Sequence, residues 1–352
     1  MSKINVGIIY GGKSTEHEVS IRSAKSVFEA LNKEKYNVSL IHITKQGEWL
    51  LAADNESIKP LENTNSTKIS VAPSQGLLAD GKQVQLDAVL PILHGTAGED
   101  GTIQGMLELA DIPYAGCGVR SSAVCMDKDM TKRLLELKGI KVTPSIVLNY
   151  YEKDGQTYEN AYEKLGVPMF IKPVNQGSSV GVSKVSDEKS FYEALDTAFS
   201  FDTKVMIETG IEGREIEVSV LGNEELFVSL PGEIVSQTDF YSYSSKYLDE
   251  NGALLNIPAK MEQETLEQIQ QTAHDTFKAL DCEGMARVDV FLTPGGEIIV
   301  NEVNTLPGFT SISMYPKLLE ASGVPYSETL DRLIELSLER YERSERLKTD
   351  IS

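Results

Sequence analysis

Cysteine is scarce in this sequence. The three residues present, Cys117, Cys125 and Cys282, are odd in number and show no CxxC spacing. Neither a disulfide framework nor a cysteine zinc site is indicated, which fits a reducing cytosol. Positive charge is also short: 33 Lys and Arg stand against 53 Asp and Glu, for a net charge of −20. A nucleic-acid partner would want a basic face, so this balance argues against one. Phosphate binding stays open, because one local cluster of lysines suffices. No apolar stretch approaches the roughly 20 residues of a membrane span. The opening run MSKINVGIIYGG is too short for a signal peptide, and charge resumes at Lys13. The expectation is a cytoplasmic protein with no membrane and no nucleic-acid partner. No internal repeat or low-complexity segment appears. A hydrophobic content of 41% and a charged content of 24% are ordinary for a globular chain. A length of 352 residues calls for two or three domains.

The first third alternates strand and helix. Residues 3–10, 36–43, 84–95 and 112–116 read as strands, with helices from about Val19 to Leu31 and from Thr102 to Leu109. Glycines follow the strands at Gly11-Gly12 and in GTAGEDG. This pattern predicts an open, mostly parallel α/β domain, whose ligands sit beyond the carboxyl ends of strands. A helix over 128–138 leads into a second block. That block has strands near 145–149, 167–173 and 204–209, and helices near 157–165 and 191–199. A third block begins near Gly213, with strands at 214–221 and 226–231. It continues with a tyrosine-rich loop at 236–251, a helix over 262–280, a hairpin, and a charged amphipathic helix over 326–346.

The hairpin is the strongest chemical signal. MARVDVFL (285–292), the turn TPGG and EIIVNEVNTLPGFTS (297–311) read as two antiparallel strands. Residues two apart share a strand face. Glu302 and Asn304 therefore point one way, Arg287 and Asp289 do likewise, and folding at 294–297 brings Asp289 within a residue or two of Glu302. Two carboxylates and a carboxamide suit a hard cation such as Mg²⁺. Arg287 beside them makes sense if an anion also sits there. The plain alternative is a solvated hairpin face carrying a surface ion pair.

Other loops carry weaker signals. Gly7 to Ser14 satisfies G-x-x-x-x-G-K-[ST], the phosphate-cradling loop, but Ile8, Ile9 and Tyr10 belong to a strand, so a tight turn at Gly11-Gly12 is the better reading. Glu16 lies at the edge of the first strand, well placed for a cationic substrate group. The bland alternative there is a helix N-cap with an acid in the first turn. NQGSSVGVS (175–183) is rich in N–H and hydroxyl donors that can fold over phosphates, with Lys172 and Lys128 supplying charge; an ordinary hairpin turn is the alternative. Glu208 and Glu215, in ETGIEGRE, suit ribose or adenine contacts, although acids on a linker are usually solvated. Tyr241 to Tyr247 would suit a water-excluding lid or an ordinary surface loop.

Taken together, HGTAGEDGTIQG (94–105), IKPVNQGSSVGVSK (171–184), YSSKYL (243–248), ARVDVFL (286–292) and NEVNTLPGFTSISM (301–314) resemble the D-alanine–D-alanine ligases of the ATP-grasp superfamily. The motifs occur in the family's order over nearly the whole chain. The resemblance implies three domains, at 1–127, 128–212 and 213–352, with ATP gripped between the second and third. It also implies a two-step reaction. ATP phosphorylates the carboxylate of a first D-alanine, then the amine of a second displaces phosphate to give a dipeptide for peptidoglycan. By position, Glu16 would bind the first ammonium, with Ser178 and Tyr247 in a hydrogen-bonded set. Lys128, Lys172, Gly177, Ser179, Glu208, Thr209, Ile211 and Glu215 would hold ATP, and Lys246 would lie near the transferred phosphate. Asp289, Glu302 and Asn304 would hold two Mg²⁺ or Mn²⁺ ions. Arg287 and the Gly308 N–H would stabilise the tetrahedral oxyanion. Ser313 with Lys246 would take the second carboxylate, Met314 would adjoin it, and His94 would line the first subsite. Tyrosine at 247 goes in the family with dipeptide formation rather than D-alanyl-D-lactate formation. Gln176 departs from an acid that some members carry. The family also implies a homodimer.

Overall fold

The computed structural model describes residues 2–60, 65–236, 253–348 and 350–351, and they form three sheets. The first is built from β1 (Ile4–Gly11), β2 (Tyr36–Ile43), β3 (Trp49–Ala52), β4 (Ser66–Ala72), β5 (Gly76–Ala79), β6 (Lys82–Gln83) and β7 (Ala88–Ile92), in the order β6-β5-β4-β3-β2-β1-β7. β1 lies parallel between β2 and β7. Val6, Ile8, Ile9 and Tyr10 are all fully buried, as expected of a parallel strand covered on both faces. The expected parallel α/β core is thus β2-β1-β7. Beyond β2 the sheet continues antiparallel through β3 to β6. Residues 112–116, expected as a strand, contribute a single parallel bridge from Tyr114 to Val89. Gly7 pairs inside β1 with Ser39 and Val89, so the apparent phosphate loop is strand.

α1 (His17–Ala30) covers this sheet, and α2 (Thr102–Leu109), α3 (Val119–Met126) and α4 (Lys128–Leu137) lead to the second one. That sheet is antiparallel, in the order β10-β9-β11-β8, from β8 (Ser145–Asn149), β9 (Met169–Pro173), β10 (Ser183–Val185) and β11 (Lys204–Thr209). α5 (Tyr158–Leu165) and α6 (Glu188–Phe199) back it, and the core between them includes Ile171, Phe191, Leu195 and Ile207.

The third sheet holds β12 (Arg214–Gly222), β13 (Leu226–Val228), β14 (Gly232–Ser236), β15 (Ala253–Asn256), β16 (Gly284–Leu292) and β17 (Ile298–Asn304). Its path is β15-β14-β12-β16-β17, with β13 on β12. Helices Gln263–Ala279, Met314–Ala321 and Tyr326–Glu345 pack around it. One apolar core joins Tyr10 of the first sheet, with Val27 and Leu31 of the helix that covers it, to Phe309, Tyr315, Leu330 and Ile334 of the C-terminal segment. The first and third sheets therefore share a core, while the second has its own. No helix among the described residues is long and apolar enough to cross a membrane.

The shared core closes tightly at Gly284, which adopts φ +72° at the start of β16. A Cβ there would sit 3.0 Å from the Gly116 Cα and N. Gly284→Ala combines a left-handed backbone with overpacking and lowers stability by roughly 2 kcal/mol or more. The midpoint of chemical denaturation reads this directly, and an unchanged midpoint would show that the contact tolerates a methyl.

Candidate active site where the three sheets meet

The hairpin puts its polar residues where period-two alternation requires. In the β16–β17 register Asp289 lies opposite Glu302 and Arg287 opposite Asn304. The register then slips between Asp289 and Val290, which pairs with Val300, leaving Asn301 as the extra residue of a bulge. Arg287 forks onto Asp289, with Nε and Nη2 each 2.7 Å from a carboxylate oxygen. Its Nε also lies 3.0 Å from Glu217 on β12. Burial disfavours the guanidinium charge, but Asp289 and Glu217 more than offset it, so Arg287 titrates well above its ordinary range. Asn304 Nδ2 donates to Asp289 at 3.0 Å. The solvated hairpin face is thereby ruled out: Asp289 is 9% exposed, and its oxygens are held by an arginine and an amide.

Lysines from α4 and β9 face this hairpin. Lys128 Nζ sits 3.7 Å from Glu302 and donates to the Gln176 carbonyl at 2.7 Å. Lys172 and Lys132 each approach one oxygen of Glu208 at 2.6 Å, and Lys132 also donates to the Thr143 carbonyl. Burial works against ionisation of Glu208, but the two ammoniums outweigh it, and its carboxyl titrates below the usual range. Burial likewise pushes Lys128 and Lys132 downward, with Glu302 opposing at the first and Glu208 at the second. Glu208 is thus a buried ion-pair partner and not a solvated linker acid.

Glu16 closes the other side. It occupies the N-cap position of α1, yet its side chain makes no capping bond. Instead it accepts from Ser178 Oγ, and it lies against Gly95 and Gly177, whose added Cβ atoms would come within 2.6 and 3.6 Å of Glu16 Oε2. That observation favours the ligand-facing reading over the helix-cap one. Ser178 and Ser179 adopt φ +53° and +59°, left-handed values uncommon for serine and characteristic of functional loops. Asn175, which bonds Asp202 through N and Nδ2, anchors the loop's entry.

Comparison with known proteins decides the family. Residues 5–117 match the model of the D-ala D-ala ligase N-terminus, and residues 134–335 that of the C-terminus. A relative from Oceanobacillus iheyensis named D-alanine–D-alanine ligase is 50% identical, covering 99% of each chain. Escherichia coli K12 D-alanine–D-alanine ligase A is 48% identical over 99% of this chain and 100% of its own. The chain belongs to the D-alanine–D-alanine ligase family. Among solved structures, the D-alanine-D-alanine ligase from Coxiella burnetii superposes with a TM-score of 0.89 at 38% identity, covering 98% of this chain and 97% of that one. The VanG D-Ala:D-Ser ligase from Enterococcus faecalis gives 0.87 at 39%, covering 96% and 100%. The architecture is accordingly the ATP-grasp fold of this family.

Several other residues implied by the resemblance make contacts of their own within the protein. His94 is buried with both ring nitrogens engaged inside the protein, Nδ1 on the Leu306 carbonyl at 3.0 Å and Nε2 on Ser23 at 3.1 Å. Its imidazole thus links a turn to a serine, with the Glu16 charge close by. Met314 packs its side chain into a small core with Ile234 and Leu318, leaving only its backbone for a ligand. Thr209 spends its hydroxyl on Leu165 O and its N–H on Pro144 O. Glu215 is exposed, on the same β12 face as Glu217, and Ile211 is half-buried. Ser313 Oγ accepts from Thr310 N at 3.0 Å, next to Gly308. Lys246 and Tyr247, with the tyrosine-rich loop, lie outside the described residues.

Three members of the site escaped the sequence reading. Glu217 lies two residues from Glu215 on one strand, and Lys132 lies four from Lys128 on one helix, so both periods could have found them. Glu99 sits in a loop with no period to flag it. It accepts from Gly95 N at 2.7 Å and borders the same small hollow as Lys128, Gly177, Glu302 and Asn304. Burial, then the neighbouring charge of Glu16, pushes its carboxyl up to about 8. The folded state keeps this proton through a pH range in which the unfolded chain, titrating near 4.5, has lost it. Stability therefore falls as pH rises through that window. In the ligand-free, metal-free protein, Glu99→Gln should gain melting temperature over the parent progressively from pH 5 to pH 8. A constant difference across that range would refute the raised pKa.

Proposed function

We propose that this chain joins two D-alanines into D-alanyl-D-alanine with ATP as phosphoryl donor. The observation that carries the reading is the meeting of the Glu16–Ser178 pair with the Arg287–Asp289–Glu302–Asn304 hairpin, close enough that Glu99 feels the charges of both Glu16 and Glu302. A carboxylate is a poor electrophile, and phosphorylation gives it a leaving group. The acyl phosphate is then attacked by the second amine, and phosphate departs. Positioning and charge neutralisation supply most of the acceleration in such transfers.

In this reading Glu16 holds the first ammonium, with Ser178 and Tyr247 beside it. Lys128 and Lys172 face the phosphates, with Glu208, Glu215 and Ile211 toward the nucleoside. Arg287 and the Gly308 N–H receive the developing oxyanion, and Ser313 with Lys246 takes the second carboxylate. Asp289, Glu302 and Asn304 offer hard oxygen donors on one face, a set that fits Mg²⁺ or Mn²⁺, and two such ions would neutralise triphosphate charge when bound. Among the described residues no three acidic, imidazole or thiol groups close into a metal cage. Domain boundaries near 127 and 212 follow the gaps between the sheets. A cytoplasmic homodimer serving peptidoglycan synthesis, and through it cell shape, is the setting the family supports.

ADP release with D-alanine, L-alanine, D-alanine plus D-serine, and D-alanine plus D-lactate tests the reaction. ADP release should require D-alanine, and D-alanine alone should give the dipeptide. ADP formation indifferent to D-alanine would overturn the assignment. Glu302→Gln should lower turnover by orders of magnitude while the circular dichroism spectrum is kept. A variant with near-normal rates at limiting Mg²⁺ would remove Glu302 from the metal set.

A further inference from the structure

The turn from Leu306 to Phe309 carries Gly308 and is fastened by side chains from distant parts of the chain. The Leu306 carbonyl accepts from His94 Nδ1 at 3.0 Å. The Phe309 N–H donates to Ser23 Oγ at 3.4 Å, and the Phe309 carbonyl accepts from the Tyr326 hydroxyl at 2.6 Å. Ser23 Oγ also lies 3.1 Å from His94 Nε2. Ser23 is fully buried, and His94 and the Phe309 ring nearly so.

With a neutral imidazole these contacts admit one consistent hydrogen-bond polarity. A carbonyl only accepts, so His94 carries its proton on Nδ1, and Nε2 offers a lone pair. Ser23 then donates its hydroxyl proton to Nε2 and accepts the Phe309 N–H. Burial favours this neutral imidazole by pushing His94 below its ordinary pKa. Each buried group is satisfied only if the others hold their places, and an orphaned member would carry its full desolvation penalty.

We infer that Ser23 is a positioning residue for the ligation step: with His94 it fixes both ends of the Leu306–Phe309 turn and so aims the Gly308 N–H at the developing oxyanion. The inference rests on the reading of Gly308 as an oxyanion donor. Ser23 lies seven residues after Glu16, about two turns along α1. One helix thereby sets both the first substrate's ammonium contact and the donor that faces its carbonyl. A donor off-axis by a fraction of an ångström binds the ground state nearly as well and the tetrahedral state worse.

Ser23→Ala removes the acceptor of the Phe309 N–H and the donor to His94 together. The expected result is a fall in kcat of roughly ten- to a hundredfold, with KM for ATP and for D-alanine within about twofold. Affinity for a tetrahedral phosphinate analogue of the dipeptide, measured with ATP present, should fall by the same factor as kcat. Tyr326→Phe, which frees the carbonyl of the same residue, Phe309, should shift kcat and analogue affinity in the same direction, and it decides the matter if Ser23→Ala fails to fold. A lowered melting temperature with kcat and analogue affinity unchanged would make the cluster purely structural and overturn the inference. Absence of D-alanine-dependent ADP release in the parent enzyme would instead overturn the functional reading on which it stands.

Discussion

An excess of buried negative charge governs this molecule. Glu16, Glu217 and Asp289 are all under a tenth exposed, and Glu99 and Glu302 border the same hollow. Lys128 and Arg287 stand directly against them. Isolated carboxylates do not survive burial: they pair, bind a cation or take up a proton. Two of these responses are visible: Asp289 and Glu217 share Arg287 and Glu302 faces Lys128, while burial and the Glu16 charge raise the pKa of Glu99 and favour its protonated form.

That charge is tolerable because the packing around it is rigid. The first and third sheets are joined by one apolar core running from Tyr10 through Phe309 to Ile334. This core fixes α1, with Glu16 at its head, relative to the hairpin that carries Arg287 and Asp289. The second sheet is packed separately around Phe191 and Ile171, and its loop reaches the first domain through the polar contact of Ser178 with Glu16. Apolar contact fixes the parts that must agree to a fraction of an ångström, and polar contact links the part that lays its loop across them.

Most of the site was legible because it rides on regular periods. Alternation placed Arg287, Asp289, Glu302 and Asn304 on one hairpin face, and the structure adds only the bulge at Asn301. The same rule, applied once more along β12, leads from Glu215 to Glu217. What a single sequence does not carry is which long-range partner a side chain meets. His94, which the resemblance places at a subsite, also links Ser23 to Leu306, the second contact spanning 212 residues. Met314 follows the motif but faces the core. The short strands β3 to β6 escaped because antiparallel strands of two to seven residues with few fully buried positions show little apolar alternation.

The N-terminal helix shows how register, and not apolar packing alone, can position a charge. Glu16, Ser20 and Ser23 lie at i, i+4 and i+7 and so share one stripe of α1. Ser20 Oγ accepts from Gly11 N at 2.7 Å and donates to the Ile92 carbonyl, tying the stripe to the ends of β1 and β7. Ser23 ties it to His94 and Phe309. Apolar contacts of Ala24 and Val27 fix the distance of the helix from the sheet but would tolerate a small rotation or slide. Directional bonds would not, since each fully buried hydroxyl would lose its partner. The buried serines therefore act as a vernier on α1, and the carboxylate at its head inherits their accuracy.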